Sequence, residues 1–116
     1  MKGRALTQRL GFAWAGLREA FASERSFRVQ LLAAAFALGA LLWLRPPLTW
    51  TALIVIMIGL VLAAELVNTA LERTLDGLHA EQAQFVRAAK DCAAAAVLVL
   101  SATAAIVFVL MLLALL

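Results

Sequence analysis

LTWTALIVIMIGLVLAAELVNTALE, residues 48–72, is the stretch whose reading decides the fold. A bilayer's hydrocarbon core needs about 20 apolar helical residues to cross it, and this run supplies them before reaching its polar end. Glu65, Asn68 and Glu72 fall at i, i+3 and i+7, so on a helix they share one face, and Asp76 extends that face if the helix persists. A carboxylate at mid-membrane costs on the order of 2.5 kcal/mol or more. A chain that keeps one there turns it toward a partner, an ion or a reacting group, so the stripe is a functional-site hypothesis as well as a structural signal.

On either side of this run lie two further apolar segments, which place membrane spans at about 28–45, 48–71 and 92–116. The first is short and gains length from Phe27 and the stem of Arg28. Pro46 and Pro47 break the chain between the first two spans, and Trp43 and Trp50 flank that break as interfacial anchors. Ahead of the first span, Leu10, Trp14, Leu17 and Phe21 recur at helical spacing while Arg9, Arg18, Glu19 and Glu24 keep the other side polar. That pattern predicts an amphipathic surface helix over about 5–24. The expected fold is an all-α membrane protein, a surface helix followed by three transmembrane helices, in one domain over 1–116. A short loop is expected around Gly77 to Glu81, with helix resuming at Ala83.

Composition supports the membrane assignment. Of 116 residues 66% are hydrophobic and 15% charged, more apolar side chain than a soluble domain of this length could bury. The net charge of +3 calls for no nucleic acid, because the cations cluster beside the spans, where anionic headgroups attract them. Lys2, Arg4, Arg9, Arg18, Arg25 and Arg28 precede the first span, Arg45 alone lies between the first two, and Arg73, Arg87 and Lys90 lie between the second and third. The positive-inside rule then puts the N-terminus and the 73–90 connection in the cytosol and the C-terminus outside. A basic N-terminus with no directly following apolar core and cleavage site argues against a cleaved signal peptide.

Several chemistries are absent from the sequence. Cys92 is the lone cysteine, which rules out an intrachain disulfide and a Cys-rich zinc site. His79, the only histidine, has no metal-ligand partner at useful spacing, and there is no phosphate-binding glycine loop, no H-E-x-x-H and no hydrolytic triad. What the chain offers is oxygen donors at two depths. Glu65 is two helical turns, roughly 10 Å, deeper than Glu72, and is placed to accept a proton from a lipid-borne group. Glu24 and Glu72 are hard oxygen donors near the interface, and two carboxylates with phosphate oxygens are a common way of holding Mg²⁺. Lys90 and Asp91 lie near the same surface. Duller roles compete at each position: a structural hydrogen bond for Glu65, an interhelical amide for Asn68, solvated helix-end charges for Glu72, Asp76, Lys90 and Asp91.

The segment Ala64-Glu65-Leu66-Val67-Asn68-Thr69-Ala70-Leu71-Glu72 followed by Asp76 resembles the E-x-x-N-[ST]-A-x-E-x-x-x-D signature of the prokaryotic diacylglycerol kinase and undecaprenol kinase family. Trp14-Ala15-Gly16-Leu17, Glu24-Arg25-Ser26-Phe27-Arg28 and Ala89-Lys90-Asp91 resemble it too, in order and spacing, from about Gly11 to the C-terminus. The resemblance implies a homotrimer of three-span subunits in the bacterial inner membrane, with composite sites between subunits at the cytoplasmic interface. It implies Mg²⁺-dependent transfer of the ATP γ-phosphate to a lipid hydroxyl. By the same resemblance Glu65 is the general base and Asn68 supports it. Glu24 and Glu72 ligate metal, and Arg4 or Arg9, Glu24, Glu72, Glu81, Lys90 and Asp91 contact nucleotide. Ser26, Phe27, Arg28, Trp43 and Glu65 border the lipid.

The chain departs from its relatives at Gln30, where they often carry Glu or His, and at Glu81-Gln82-Ala83, where they often show Glu-Tyr-His. Diacylglycerol is the favoured acceptor because Gly11 to Phe21 resembles that branch; undecaprenol is the alternative, since Ala64 and Thr69 fit its branch equally well. A small proton or cation transporter is a more distant alternative. Such a protein has no need of Glu24, Glu72, Lys90 and Asp91 gathered on one side.

Overall fold

A computed structural model describes residues 5–78 and 83–116. Within them the chain forms four helices, α1 (Leu6–Ser23), α2 (Arg25–Leu44), α3 (Leu48–Leu78) and α4 (Gln84–Ala114). The last three are each long and apolar enough to cross a membrane. The expected architecture of a surface helix and three spans is therefore the observed one. Arg4, His79, Glu81 and Gln82 lie outside the described residues.

The joints between helices are tight. Glu24 alone separates α1 from α2, in an extended conformation (φ −114°, ψ 109°), and its N–H still donates to the Ala20 carbonyl at 2.8 Å. One non-helical residue is enough to turn α1 away from the axis of α2. The far end of α2 stops at Arg45, which takes the left-handed conformation (φ 47°, ψ 57°) and closes the helix with an N–H bond to the Leu41 carbonyl at 3.0 Å. Pro46 cannot continue a helix, and Pro47 opens the next one, its carbonyl accepting from the Trp50 and Thr51 N–H groups.

The helices that carry the second and third spans run beyond the apolar bounds read from the sequence. Helix α3 does not stop at Leu71, and Gly77 does not break it; Gly77 lies in its last turn. Helix α4 likewise begins at Gln84, well before 92. The reason is physical: Leu71 to Leu75 supplies good helix formers, and Thr74 spends its hydroxyl on the Ala70 carbonyl at 2.8 Å, so the pattern of polar residues ends the span without ending the helix. At 31 residues and 1.5 Å per residue, α3 and α4 are each about 46 Å long. A hydrocarbon core of about 30 Å leaves a turn or more of each projecting. Glu72 and Asp76 lie in the last turns of α3, and Lys90 and Asp91 in the first turns of α4.

Helix α3 is the spine. It packs most extensively on α4 and next on α2, while α1 touches both α2 and α3. Leu41, Ile54 and Met111 form a small core at the Pro46–Pro47 end, with Ala37, Trp50, Ile58, Val107 and Phe108 against it. Large apolar side chains such as Leu32, Phe36, Leu98 and Ile106 stay on the outside. In a bilayer this carries no penalty, because lipid tails solvate them as well as protein does. Helices α2 and α4 stand apart on the flanks of α3, leaving a groove of about 310 Å³ lined largely by Ala33, Ala34, Ala37, Ala104, Phe36 and Phe108. One polar contact crosses it, Gln30 Nε2 donating to Ser101 Oγ at 2.9 Å.

Candidate active site

Glu65 is the one charged side chain buried among the described residues, 3% exposed on a helix in the middle of an apolar segment. Its position follows from register. Ile54, Met57, Val61 and Glu65 step along α3 at intervals of three and four, so the carboxylate continues the stripe that packs the apolar core. Such a group is stable there only if its oxygens find donors. The hydroxyl of Ser26, in the first turn of α2, donates to Glu65 Oε2 at 3.0 Å. Thr69 Oγ1 bonds the Glu65 backbone carbonyl at 3.0 Å, holding the next turn of the helix.

One turn toward the C-terminal end of α3, Asn68 Nδ2 donates to Glu72 Oε1 at 2.9 Å. The other end of that amide, Oδ1, is buried with no hydrogen-bond partner among the described residues. A buried acceptor left open beside a carboxylate is unusual, since nearly all such atoms are paired. It points toward a donor that arrives with a ligand.

Glu24 reaches this end from the α1–α2 joint. Arg73 of α3 gathers three groups of that joint: Nη1 meets Glu19 Oε1 at 2.7 Å, and Nη2 meets Ser23 Oγ at 2.5 Å and Glu24 Oε1 at 3.5 Å. Glu24 is thereby tied to the end of α3 that also carries Glu72. The guanidinium is the tie between the surface helix and the spine, and because it is about half exposed its pairs with Glu19 and Glu24 are worth a modest amount each. One turn beyond Glu72 on α3, Lys90 Nζ of α4 pairs with Asp76 Oδ1 at 2.5 Å, tying the start of α4 to the end of α3.

The remaining sequence candidates fall in varied places. Arg28 Nη1 donates to the Phe21 and Ala22 carbonyls at 2.7 and 3.3 Å, satisfying acceptors that the end of α1 leaves open. Phe27 is 2% exposed, packed inside the bundle. Trp43 is 87% exposed near the far end of α2, some 25 Å along the helix from Ser26, so it is not part of the Glu65 cluster. Arg9 on α1 and Asp91 on α4 are exposed. Arg4 and Glu81 lie outside the described residues.

The model of the prokaryotic diacylglycerol kinase family matches residues 11–112. The chain belongs to that family. Among individual relatives, the diacylglycerol kinase of Escherichia coli K12 is 31% identical over 102 residues, 88% of this chain and 84% of its own length. The diacylglycerol kinase of Synechocystis is 38% identical over 98 residues, 83% of this chain and 55% of its own length. Together with the three spans, membership makes the chain an integral membrane lipid kinase.

Five residues in and near the cluster carry no sequence signal that names their role. Arg73 follows Glu72 as an ordinary helix-end cation, yet it binds groups about fifty residues away. Glu19 and Ser23 sit on a surface helix where acidic and hydroxyl residues are expected anyway. The Gln30–Ser101 pair spans 71 positions, and only the splay of α2 and α4 reveals it.

Proposed function

We propose that this protein transfers the γ-phosphate of ATP to the free hydroxyl of diacylglycerol at the cytoplasmic face of the membrane, giving phosphatidic acid and ADP. The observation that carries the reading is Glu65, a carboxylate buried on a long apolar helix and held by one hydroxyl, with Glu72 two turns further along that helix and Glu24 tied to Arg73. A lipid hydroxyl sits at the depth of Glu65; nucleotide phosphates sit at the depth of Glu72. The two depths differ by about two helical turns, which is the geometry a reaction between a lipid and a soluble nucleotide requires.

In this reading Glu65 accepts the hydroxyl proton as the lipid oxygen forms its bond to the γ-phosphorus and the bond from that phosphorus to the bridging oxygen of ADP breaks. Glu24 and Glu72 would hold Mg²⁺. The donor set fits that ion: two hard carboxylates, with the open buried oxygen of Asn68 beside one of them, leave room for the phosphate oxygens and waters that Mg²⁺ retains. When bound, Mg²⁺ supplies charge neutralisation at the phosphates. Lys90 and Asp91 are assigned to the nucleotide, Lys90 exchanging Asp76 for phosphate, and Arg4, Arg9 and Glu81 complete the nucleotide contacts. Arg28 and the groove between α2 and α4, which begins at Gln30 about one turn along α2 from Ser26, border the lipid. The assembly is proposed to be a homotrimer in the inner membrane, with neighbouring copies closing each site.

The assay that tests this uses purified protein in mixed micelles with MgATP labelled in the γ-phosphate, offered either diacylglycerol or undecaprenol. Phosphatidic acid is the expected product. Polyprenyl phosphate in its place would move the acceptor assignment to undecaprenol, and no lipid product from either would overturn the proposal.

Orientation is open to a separate test. With Cys92→Ser as background, a cysteine introduced at Leu78 is expected to resist membrane-impermeant thiol reagents in intact cells and to react once the cells are opened. One introduced at Pro47 is expected to react from outside. Labelling at Leu78 in intact cells would put Glu72 on the side without ATP and remove the basis for the kinase geometry.

A further inference from the structure

We infer that Ser26 is the positioning residue of the general base. It rests on the reading of Glu65 as that base and extends it, because a side chain expected to border the lipid is turned inward to the carboxylate.

The geometry begins with the hydroxyl's inventory. Ser26 has one proton to donate, and it goes to Glu65 Oε2 at 3.0 Å across 39 positions of sequence. Oε1 takes no hydrogen bond among the described residues. The two carboxylate oxygens are therefore inequivalent: one is tied to α2, the other is left as the acceptor. A carboxylate on two sp³ carbons rotates freely about its last torsion, which is broad and two-fold. Fixing Oε2 fixes where Oε1 points.

Burial makes the bond count. Glu65 is 3% exposed, so water cannot stand in for a missing donor as it would at a surface. Ser26 lies in the first turn of α2, two residues after the joint at Glu24. The joint at Glu24 sets this turn's position. The same one-residue break that brings Glu24 to α3 also places Ser26 against Glu65, coupling the metal-side carboxylate to the base through two residues of backbone.

A positioning role separates from two alternatives by experiment. In the mixed-micelle assay with MgATP and diacylglycerol, Ser26→Ala is expected to lower kcat about tenfold to a hundredfold, the range for losing a hydrogen bond to a charged group, while KM for the lipid stays within about twofold. Ser26→Thr retains the hydroxyl and is expected to recover most of kcat. In a Glu65→Gln background, adding Ser26→Ala is expected to cost nothing further, because a positioning residue has no base left to position. A raised lipid KM with unchanged kcat would assign Ser26 to the lipid and overturn the inference; so would failure of the threonine variant, once intact assembly in detergent is established by its elution volume. The parallel Glu65→Gln measurement distinguishes the two layers. Near-normal turnover in Glu65→Gln removes the base and the inference together, whereas an inactive Glu65→Gln beside a fully active Ser26→Ala removes the inference alone.

Discussion

Glu65→Gln is expected to abolish most turnover, by a factor on the order of 10² to 10⁴, while leaving nucleotide affinity and assembly intact. The substitution changes basicity and little else. Glutamine has nearly the same shape, and its carbonyl oxygen can still accept from the Ser26 hydroxyl, so the contact between α2 and α3 survives. Stability should hold or rise, since replacing a buried carboxylate by an amide removes a group whose charged form is costly in a span. Nucleotide binding should be unmoved because Glu72 is two turns away. The measurement is kcat under saturating MgATP and diacylglycerol, with MgATP affinity determined separately. A kcat close to that of the unsubstituted protein would make Glu65 a structural hydrogen-bond acceptor between α2 and α3 and leave the reaction without a base at lipid depth.

How much of this was legible in the sequence differs between fold and site. The three spans and the surface helix could be read because hydrocarbon imposes a length and a composition that local pattern reveals directly. The helix ends could not. Leu71 marks where apolar residues stop, but a helix continues wherever its backbone bonds and propensities allow, so α3 runs on to Leu78 and carries Glu72 and Asp76 on an ordered stalk.

In the site, the stripe Glu65–Asn68–Glu72 was readable because one helix fixes its geometry, and periodicity within a helix needs no tertiary information. The partners of that stripe come from elsewhere in the chain. Ser26 donates to Glu65 from α2, and Arg73, in the sequence one cation among several after the second apolar run, holds Glu19, Ser23 and Glu24. Trp43 lies at the other end of α2 from Ser26. Each of these depends on where α1, α2 and α3 cross, and that is set by the joints at Glu24 and Arg45, whose conformations no pattern of hydrophobicity encodes.

Glu24→Ala and Glu72→Ala are expected each to shift the Mg²⁺ dependence of the rate to higher concentration, by about tenfold or more, with weaker MgATP binding and little change in lipid KM. The structure supplies a reason for expecting them to act as a unit. Arg73, next to Glu72 in α3, touches Glu24, so the α1–α2 joint is tied to the end of α3 that carries Glu72, and in the proposed reading an ion with the nucleotide phosphates would meet both carboxylates. Two ligands of one ion are non-additive: once the first is gone, the second has less to hold, and the double variant should fall short of the summed single effects. Each position has a structural confound. Alanine at 72 strands the Asn68 Nδ2 donor beside an amide oxygen that already lacks a partner, and alanine at 24 removes one of the groups Arg73 gathers. Glu72→Gln keeps an acceptor for Asn68, and Glu24→Gln keeps an oxygen for Arg73, so both hold the packing while discarding the charge. If the glutamine variants shift the Mg²⁺ midpoint as the alanine variants do, the charge is what matters and the metal role stands. Should they titrate like the unsubstituted protein, or should the alanine effects simply add, the two carboxylates serve the helix joints and the metal must be sought on other residues.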